Sequence, residues 1–277
     1  MATYGLPALA ALLVWWLSTG VILMLQRLPE RTYGWSFLGT SLLAAMALCV
    51  LIVTAAQTTT ACAYWAFLSG VVLWGWHELA FLQGRITGPH KGACPLEASG
   101  PQRFVLAVRT LLYHELAILA TLGLLAAVTW NQPNQFGLWV FLVLFVLRLS
   151  AKLNIFLGVP HLSEELLPQR LAFLKSYFGR RPMNSLFPVS ITLSTLLAAY
   201  VFHAAFSGDA DAFAVTGYTL VGAMVVLGTL EHWLLVLPLQ DSALWRWALG
   251  RDETIHKDKT KTAASPISAV PSEGRFP

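Results

Sequence analysis

The chain has 277 residues, of which 56% are hydrophobic and 12% are charged, and its mean hydropathy is +0.62. This composition excludes an ordinary soluble globular domain. The net charge of +4 does not indicate a nucleic-acid partner, because no basic domain stands apart from the apolar segments.

Seven apolar runs are each long enough to cross a bilayer, which takes about 20 residues in a helix. A bilayer offers no water to backbone N–H and C=O groups, so such runs must be helical. The sequence therefore predicts an all-α, polytopic membrane protein with the lipid bilayer as its first partner. The predicted spans are 6–26, 35–54, 62–82, 104–129, 136–157, 184–206 and 213–237.

The basic residues predict how the chain is oriented in the membrane. All 18 Lys and Arg residues flank the first, third and fifth loops or follow the seventh span, and none flanks the even-numbered loops. Basic loops of membrane proteins stay in the cytoplasm. We therefore expect the N-terminus on the outer, periplasmic side and the C-terminus in the cytoplasm.

The segment after the fifth span predicts an amphipathic helix on the cytoplasmic surface, at about 164–178. Ser163 is a candidate cap for this helix, and an apolar stripe runs along it. Residues 1–249 form the predicted membrane domain, and residues 250–277 lack apolar periodicity and are predicted to be a disordered cytoplasmic tail. The stripe consists of Leu167, Leu171, Leu174 and Phe178.

Three His–Glu dyads lie inside predicted spans, where ionisable side chains are rare. Counting 1.5 Å per residue from the span ends puts all three in the cytoplasmic half. The fifth span adds a polar network at a similar depth, so we expect these groups to gather in one layer. The dyads are His77–Glu78, His114–Glu115 and Glu231–His232; the network residues are Arg148, Lys152 and Asn154.

A charged side chain at the bilayer centre costs about 3 kcal/mol, so these groups need partners. An ion-pair network among the helices is one interpretation. A metal site formed by the six dyad residues, with iron or a tetrapyrrole as cofactor, is the second. A proton or ion path is the third. The motif HELA lacks the second histidine of HExxH, which excludes zinc-protease chemistry.

Four tryptophans at mid-span or in the third span are open to two interpretations. Trp15, Trp16, Trp74 and Trp76 either stack on a flat pigment or pack between helices, and packing is the commoner use of buried aromatic rings.

Several long strings resemble the PuhE family of photosynthetic complex assembly proteins of anoxygenic phototrophic bacteria. They are LVWWLSTGVIL, LWGWHELAFLQGRITGP, YHELA, FLVLFVLRLSAKLNIFLGVPHLSEELLP, YFGRRPMNSLFPVS and EHWLLVLPL followed by DSALWRWAL. The likeness covers nearly all of residues 6–249, and the tail shows none.

The resemblance implies a protein of the bacterial inner membrane, cytoplasmic or intracytoplasmic, encoded beside reaction-centre genes. It implies a role in assembling the photosynthetic reaction centre and light-harvesting complexes, or in bacteriochlorophyll supply, with their subunits and bacteriochlorophyll as partners. It transfers no catalytic residues, so enzyme activity stays open. The alternative is a membrane metal oxidoreductase of bacteriochlorophyll metabolism, in which the dyads hold one or two irons.

Overall fold

The computed structural model describes residues 2–162, 164–239 and 241–249, and it is helical without strands over these ranges. Seven of its helices are long and apolar enough to cross a membrane, which confirms the all-α, seven-span prediction. They are α1 (Ala2–Arg27), α2 (Tyr33–Ala55), α3 (Thr60–Leu82), α4 (Gly100–Val128), α5 (Phe136–Leu157), α6 (Leu186–Ala205) and α7 (Ala212–Leu234), followed by the short α8 (Arg246–Leu249).

The helix ends follow local capping chemistry. The Thr59 hydroxyl accepts a hydrogen bond from the Cys62 amide at 3.2 Å, and the Asp211 carboxylate accepts one from the Ala214 amide at 2.7 Å. Such caps each contribute about 1 kcal/mol, and they start α3 and α7. Helix α4 begins at Gly100, four residues before the predicted start, because Pro101 suits a first helical turn.

Basic side chains gather at one end of the bundle, called the basic end below. It is the end at which α1, α3, α5 and α7 finish and α2, α4 and α6 begin. The connections there carry the Lys and Arg residues of the odd-numbered loops.

The predicted surface helix is present in 3-10 geometry and is divided in two. Its parts are Glu164–Leu166 and Gln169–Tyr177, with Pro168 between them. Proline has no N–H to donate and restricts the residue before it, so one continuous α-helix cannot form through this position. The expected apolar stripe packs against the end of α3, where Leu171 and Leu174 are buried with Phe81. The proposed cap Ser163 and the predicted disordered tail, 250–277, lie outside the described residues.

Helices α3 and α7 form the centre of the bundle. In an apolar 18-residue window of each span, 67% of the residues are buried in α3 and 61% in α7, against 17–33% in the other five. Helices α1 and α5 each contact both of them, α2 packs on α3, and α6 packs on α7. Helix α4 sits at the edge, against α3 and α5.

Two glycines allow the backbones of α3 and α5 to come into direct contact. A Cβ atom on Gly70 would lie 2.5 Å from the Gly137 carbonyl oxygen, and one on Gly137 would lie 2.7 Å from the Ala66 carbonyl oxygen. Small residues serve this purpose in membrane helix pairs. The close contact helps to fix how α5 is rotated and so where its polar residues point.

The segment 241–249 folds back onto α1. The Trp16 indole donates to the Leu244 carbonyl at 2.9 Å, and the Trp245 indole donates to the Trp16 carbonyl at 3.1 Å. Trp16 lies eleven residues before the end of α1, or about 16 Å along the helix. After α7 the chain therefore turns back and contacts the middle part of α1, not its end.

Candidate functional site

Glu78 has two ion-pair partners on two other helices. It lies near the end of α3 and is 8% exposed. Its Oε2 is 3.6 Å from the Arg148 guanidinium on α5, and its Oε1 is 3.9 Å from Nε2 of His114 on α4. Glu78, His114 and Arg148 are called the Glu78 centre below. This centre ties together α3, α4 and α5.

The Glu78 centre keeps unfilled hydrogen-bonding capacity. Oε1 of Glu78 and both ring nitrogens of His114 are buried without a hydrogen-bond partner. The His114 ring is fully buried and packs on Phe81, with ring centroids 4.7 Å apart. Each unpaired buried polar atom costs about 1–3 kcal/mol. Natural proteins retain such a cost chiefly where a site has a task beyond stability.

Arg148 lies between several carboxylates of the bundle. It interacts electrostatically with Glu78, Glu231 and Glu115. Its side chain keeps 47% of its surface accessible although it belongs to the middle of a membrane-spanning helix. Arg148 is therefore the main counter-charge of the Glu78 centre, and its side chain is more exposed than those of Glu78 and His114.

Glu115 and Lys152 form a separate ion pair. Their side chains meet at 2.7 Å and are about one-fifth exposed, at 19% and 20%. Lys152 is one turn beyond Arg148 on α5, so the two cations share a face of that helix. This pair joins α4 to α5 beside the Glu78 centre.

His77 takes a different direction from its neighbour Glu78. Its Nε2 lies 2.9 Å from the Thr121 hydroxyl on α4, while Nδ1 is buried without a partner. The ring is 2% exposed and makes edge-on contacts with Trp76 and Phe141. Since adjacent helical residues point about 100° apart, the two members of this dyad serve different contacts.

Glu231 is hydrogen-bonded to a tryptophan of α1. Its Oε1 accepts a hydrogen bond of 2.8 Å from the indole N–H of Trp15, whose ring meets Trp245 edge-on at 5.4 Å. The carboxylate also interacts electrostatically with Arg148. Trp15 therefore packs between helices as a hydrogen-bond donor.

His232 belongs to a polar chain that crosses three helices. Its Nδ1 donates to the Gly228 carbonyl at 2.7 Å, because a carbonyl can only accept. Its Nε2 lies 2.9 Å from the Ser150 hydroxyl, which lies 3.0 Å from the Ser190 hydroxyl. The Asn154 amide donates to Ser190, also at 3.0 Å. Helices α5, α6 and α7 are joined here.

The structure divides the predicted polar layer into neighbouring groups. Glu78 and His114 face each other, whereas the other four dyad residues each have a partner outside the dyads. Within the described ranges, no group of three or more His, Cys, Asp or Glu side chains is placed to hold a metal ion. A metal role for His77, Glu78, His114, Glu115, Glu231 and His232, and an iron or tetrapyrrole cofactor, stay predictions.

Sequence reasoning did not identify the uncharged partners. Trp15, Thr121 and Ser150 each complete a dyad contact, and none lies near that dyad in sequence. The one available signal was the position of Trp15 at mid-span, where tryptophan does not serve as an interfacial anchor.

Comparisons with known proteins show which family the chain is similar to. The model of the family described as "Protein of unknown function (DUF3623)" matches residues 1–256. A protein of Rhodobacter capsulatus, named "Uncharacterized 30.4 kDa protein in puhA 5'region", is 40% identical over 276 residues, covering 98% of this chain and 97% of its own. No solved structure matches. These matches confirm the resemblance to the PuhE family.

Proposed function

The chain belongs to the DUF3623 family, and on that premise we propose that it is an inner-membrane factor supporting assembly of the photosynthetic reaction centre and light-harvesting complexes. The observation that carries the proposal is the near full-length relative whose name places it in the puhA 5' region. A gene in that place suits a protein made together with the photosynthetic apparatus.

The polar contacts support a bracing role for the dyads. The Glu78 centre joins α3, α4 and α5, Trp15–Glu231 joins α1 to α7, and the His232 chain joins α5, α6 and α7. Interhelical polar contacts fix the rotation of membrane helices, which apolar packing against lipid specifies weakly. A rigid bundle of this kind can present fixed outer surfaces to partner subunits.

The outer helices offer apolar surface for such contacts. Leu42 and Val53 on α2 are 64% and 65% exposed, and Leu193 and Leu196 on α6 are 61% and 60% exposed. Lipid covers such faces in an isolated protein, and the helices of reaction-centre or antenna subunits offer the same chemistry. We propose these faces as the docking surfaces of the assembly factor.

A deletion strain tests the proposal. Loss of the gene should lower the near-infrared absorbance of the reaction centre and antenna, and a plasmid copy should restore it. A chain carrying Glu115→Lys together with Lys152→Glu keeps the ion pair with its charges exchanged, so a bracing role predicts restoration by this chain too. A stable exchanged chain that accumulates a bacteriochlorophyll precursor would instead indicate chemistry at these residues.

The orientation is part of the same proposal. We propose the N-terminus outside and the C-terminus in the cytoplasm, supported by the concentration of Lys and Arg at the basic end. Cys94 lies in the loop between α3 and α4, at that end, and Gln132 lies at the other end. A membrane-impermeant thiol reagent applied to spheroplasts should label a Gln132→Cys chain at the new residue and leave Cys94 unlabelled. The reverse pattern would refute the orientation.

A further inference from the structure

A cleft of about 360 Å³ opens at the basic end, and none of its lining residues belongs to the Glu78 centre. It lies between the connection from α1 to α2 and the start of the 3-10 helix Gln169–Tyr177. Its polar lining contains two arginines, two glutamines, a tyrosine and one carboxylate: Gln26, Arg27, Glu30, Tyr33, Gln169 and Arg170. The charged side chains in this lining carry a net positive charge of one.

The Arg170 guanidinium is held in place on one wall of the cleft. It stacks on the Tyr33 ring at 4.4 Å and donates to the Tyr33 hydroxyl at 2.6 Å and to the Gln83 carbonyl at 3.4 Å. The Tyr33 hydroxyl in turn donates to the Gln26 carbonyl. A stacked and hydrogen-bonded arginine loses little conformational freedom when it binds an anion.

The same guanidinium keeps capacity for another acceptor. Its Nε is buried without a hydrogen-bond partner. Its ion-pair partner Glu30 contacts it at 3.3 Å, but that side chain is 79% exposed. An exposed carboxylate in this setting is worth little to stability and is easily displaced. An incoming anion would replace Glu30 rather than break a buried pair.

The position of the cleft along the helices matches the lipid headgroup region. Helix α1 ends at Arg27 and α2 begins at Tyr33, so the lining straddles a turn between two spans. Trp35, in the first turn of α2, is 77% exposed. Exposed tryptophan at a helix end is typical of the interface between hydrocarbon and water.

We propose that this cleft binds the headgroup phosphate of an anionic phospholipid, with Arg170 as its principal ligand. Guanidinium groups bind phosphate oxygens through paired, charge-assisted hydrogen bonds. Basic pockets between membrane helices suit lipids with a net negative charge. Arg27 supplies the second positive charge of the lining, and Glu30 acts as a competing anion that the phosphate displaces.

Native mass spectrometry of the full, delipidated chain in detergent tests the proposal. Phosphatidylglycerol should bind about tenfold more tightly than phosphatidylcholine, the scale of one charge-assisted contact. Arg170→Gln should abolish that difference. Arg180→Gln should leave it unchanged, because Arg180 is 77% exposed and pairs with Glu164 outside the cleft. Equal affinity for the two lipids, or an equal loss in both variants, would overturn the proposal.

Glu30→Gln provides a test that does not depend on a destabilising change. Removing the exposed competitor should raise the affinity for phosphatidylglycerol severalfold while leaving folding intact. Inorganic phosphate added at equal concentration separates a lipid site from a free-phosphate site. Full displacement of the lipid by inorganic phosphate, or an unchanged affinity in Glu30→Gln, would refute the assignment.

Discussion

The Trp15 indole donates a 2.8 Å hydrogen bond to the Glu231 carboxylate across 216 residues of sequence. This contact joins the first membrane helix to the last long one, next to the segment 241–249 that covers the same tryptophan. It also explains why a residue with a hydrogen-bond donor stands at mid-span. The pair adds a polar contact to the packing between α1 and α7.

Trp15→Phe should therefore lower the free energy of unfolding by about 1 kcal/mol, since interhelical hydrogen bonds in membranes are worth about 0.6–1.7 kcal/mol. Phenylalanine keeps most of the ring and removes the donor. Thermal unfolding in detergent, followed by circular dichroism, measures the effect. Trp35→Phe is the matched control, because Trp35 is 77% exposed. If the two variants unfold alike, the hydrogen bond does not contribute.

Glu78→Gln should cost more than any other single neutralisation in the polar layer. The change leaves Arg148 without its nearest carboxylate and removes the carboxylate that lies 3.9 Å from Nε2 of His114. Breaking a fully buried pair costs about 3–5 kcal/mol, and the partial exposure of Arg148 reduces this to about 2 kcal/mol. The same unfolding assay measures it.

The control for that change is Glu97→Gln in the exposed loop before α4, which should alter stability by less than about 0.5 kcal/mol. Glu78→Leu combined with Arg148→Leu should be less harmful than Glu78→Leu alone, because the double change does not leave Arg148 without its nearest carboxylate. A double variant as unstable as the two single losses added together would show that Glu78 and Arg148 act independently.

Ser150→Ala should loosen the junction of α5, α6 and α7. The change removes the partner of His232 Nε2 and one of the two partners of the Ser190 hydroxyl, which keeps the Asn154 amide. We expect a loss of about 1 kcal/mol in the free energy of unfolding. Ser194→Ala is the control, because its hydroxyl donates only to the Ile191 carbonyl of its own helix. Equal losses in both variants would mean that the chain across three helices adds nothing.

The sequence predicts the seven spans because each apolar run must cross the hydrocarbon as a helix. Span ends differ by a few residues where local chemistry decides, as at Pro101 in the first turn of α4. Spacing also places Arg148 and Lys152 on one face of α5. These features depend on residues near each other in the chain, so the pattern is sufficient to predict them.

The partners of the dyads depend on how each helix is rotated and which helices are neighbours. Depth alone groups Glu78, Glu115 and Glu231 in one layer, whereas helix rotation decides which partner each of them meets. Close contacts such as Gly70 with Gly137 help to fix the rotation of α3 and α5. Apolar periodicity is weak in helices surrounded by lipid, so sequence carries little information about rotation. The return of segment 241–249 to α1 is likewise absent from any local pattern.

Gly20→Val should displace that returning segment. A Cβ atom on Gly20 would lie 2.1 Å from Cζ2 of Trp247, so the tryptophan ring must leave its place over α1. We expect a red-shifted tryptophan emission. With Leu244→Cys added as a reporter in both chains, we expect the new thiol to react faster with thiol reagents when Gly20→Val is present. Gly39→Val is the control, since a Cβ atom there meets nothing within 4 Å.

A double variant separates this contact from a general effect of valine on α1. Trp247→Ala removes the ring that the new side chain meets, so Gly20→Val in that background should cause no further change in thiol reactivity. The segment should also be looser in Trp247→Ala alone, because the ring contributes contact area with α1 and with Trp16. If Gly20→Val has the same effect with and without Trp247, the segment 241–249 does not dock on α1 through this contact.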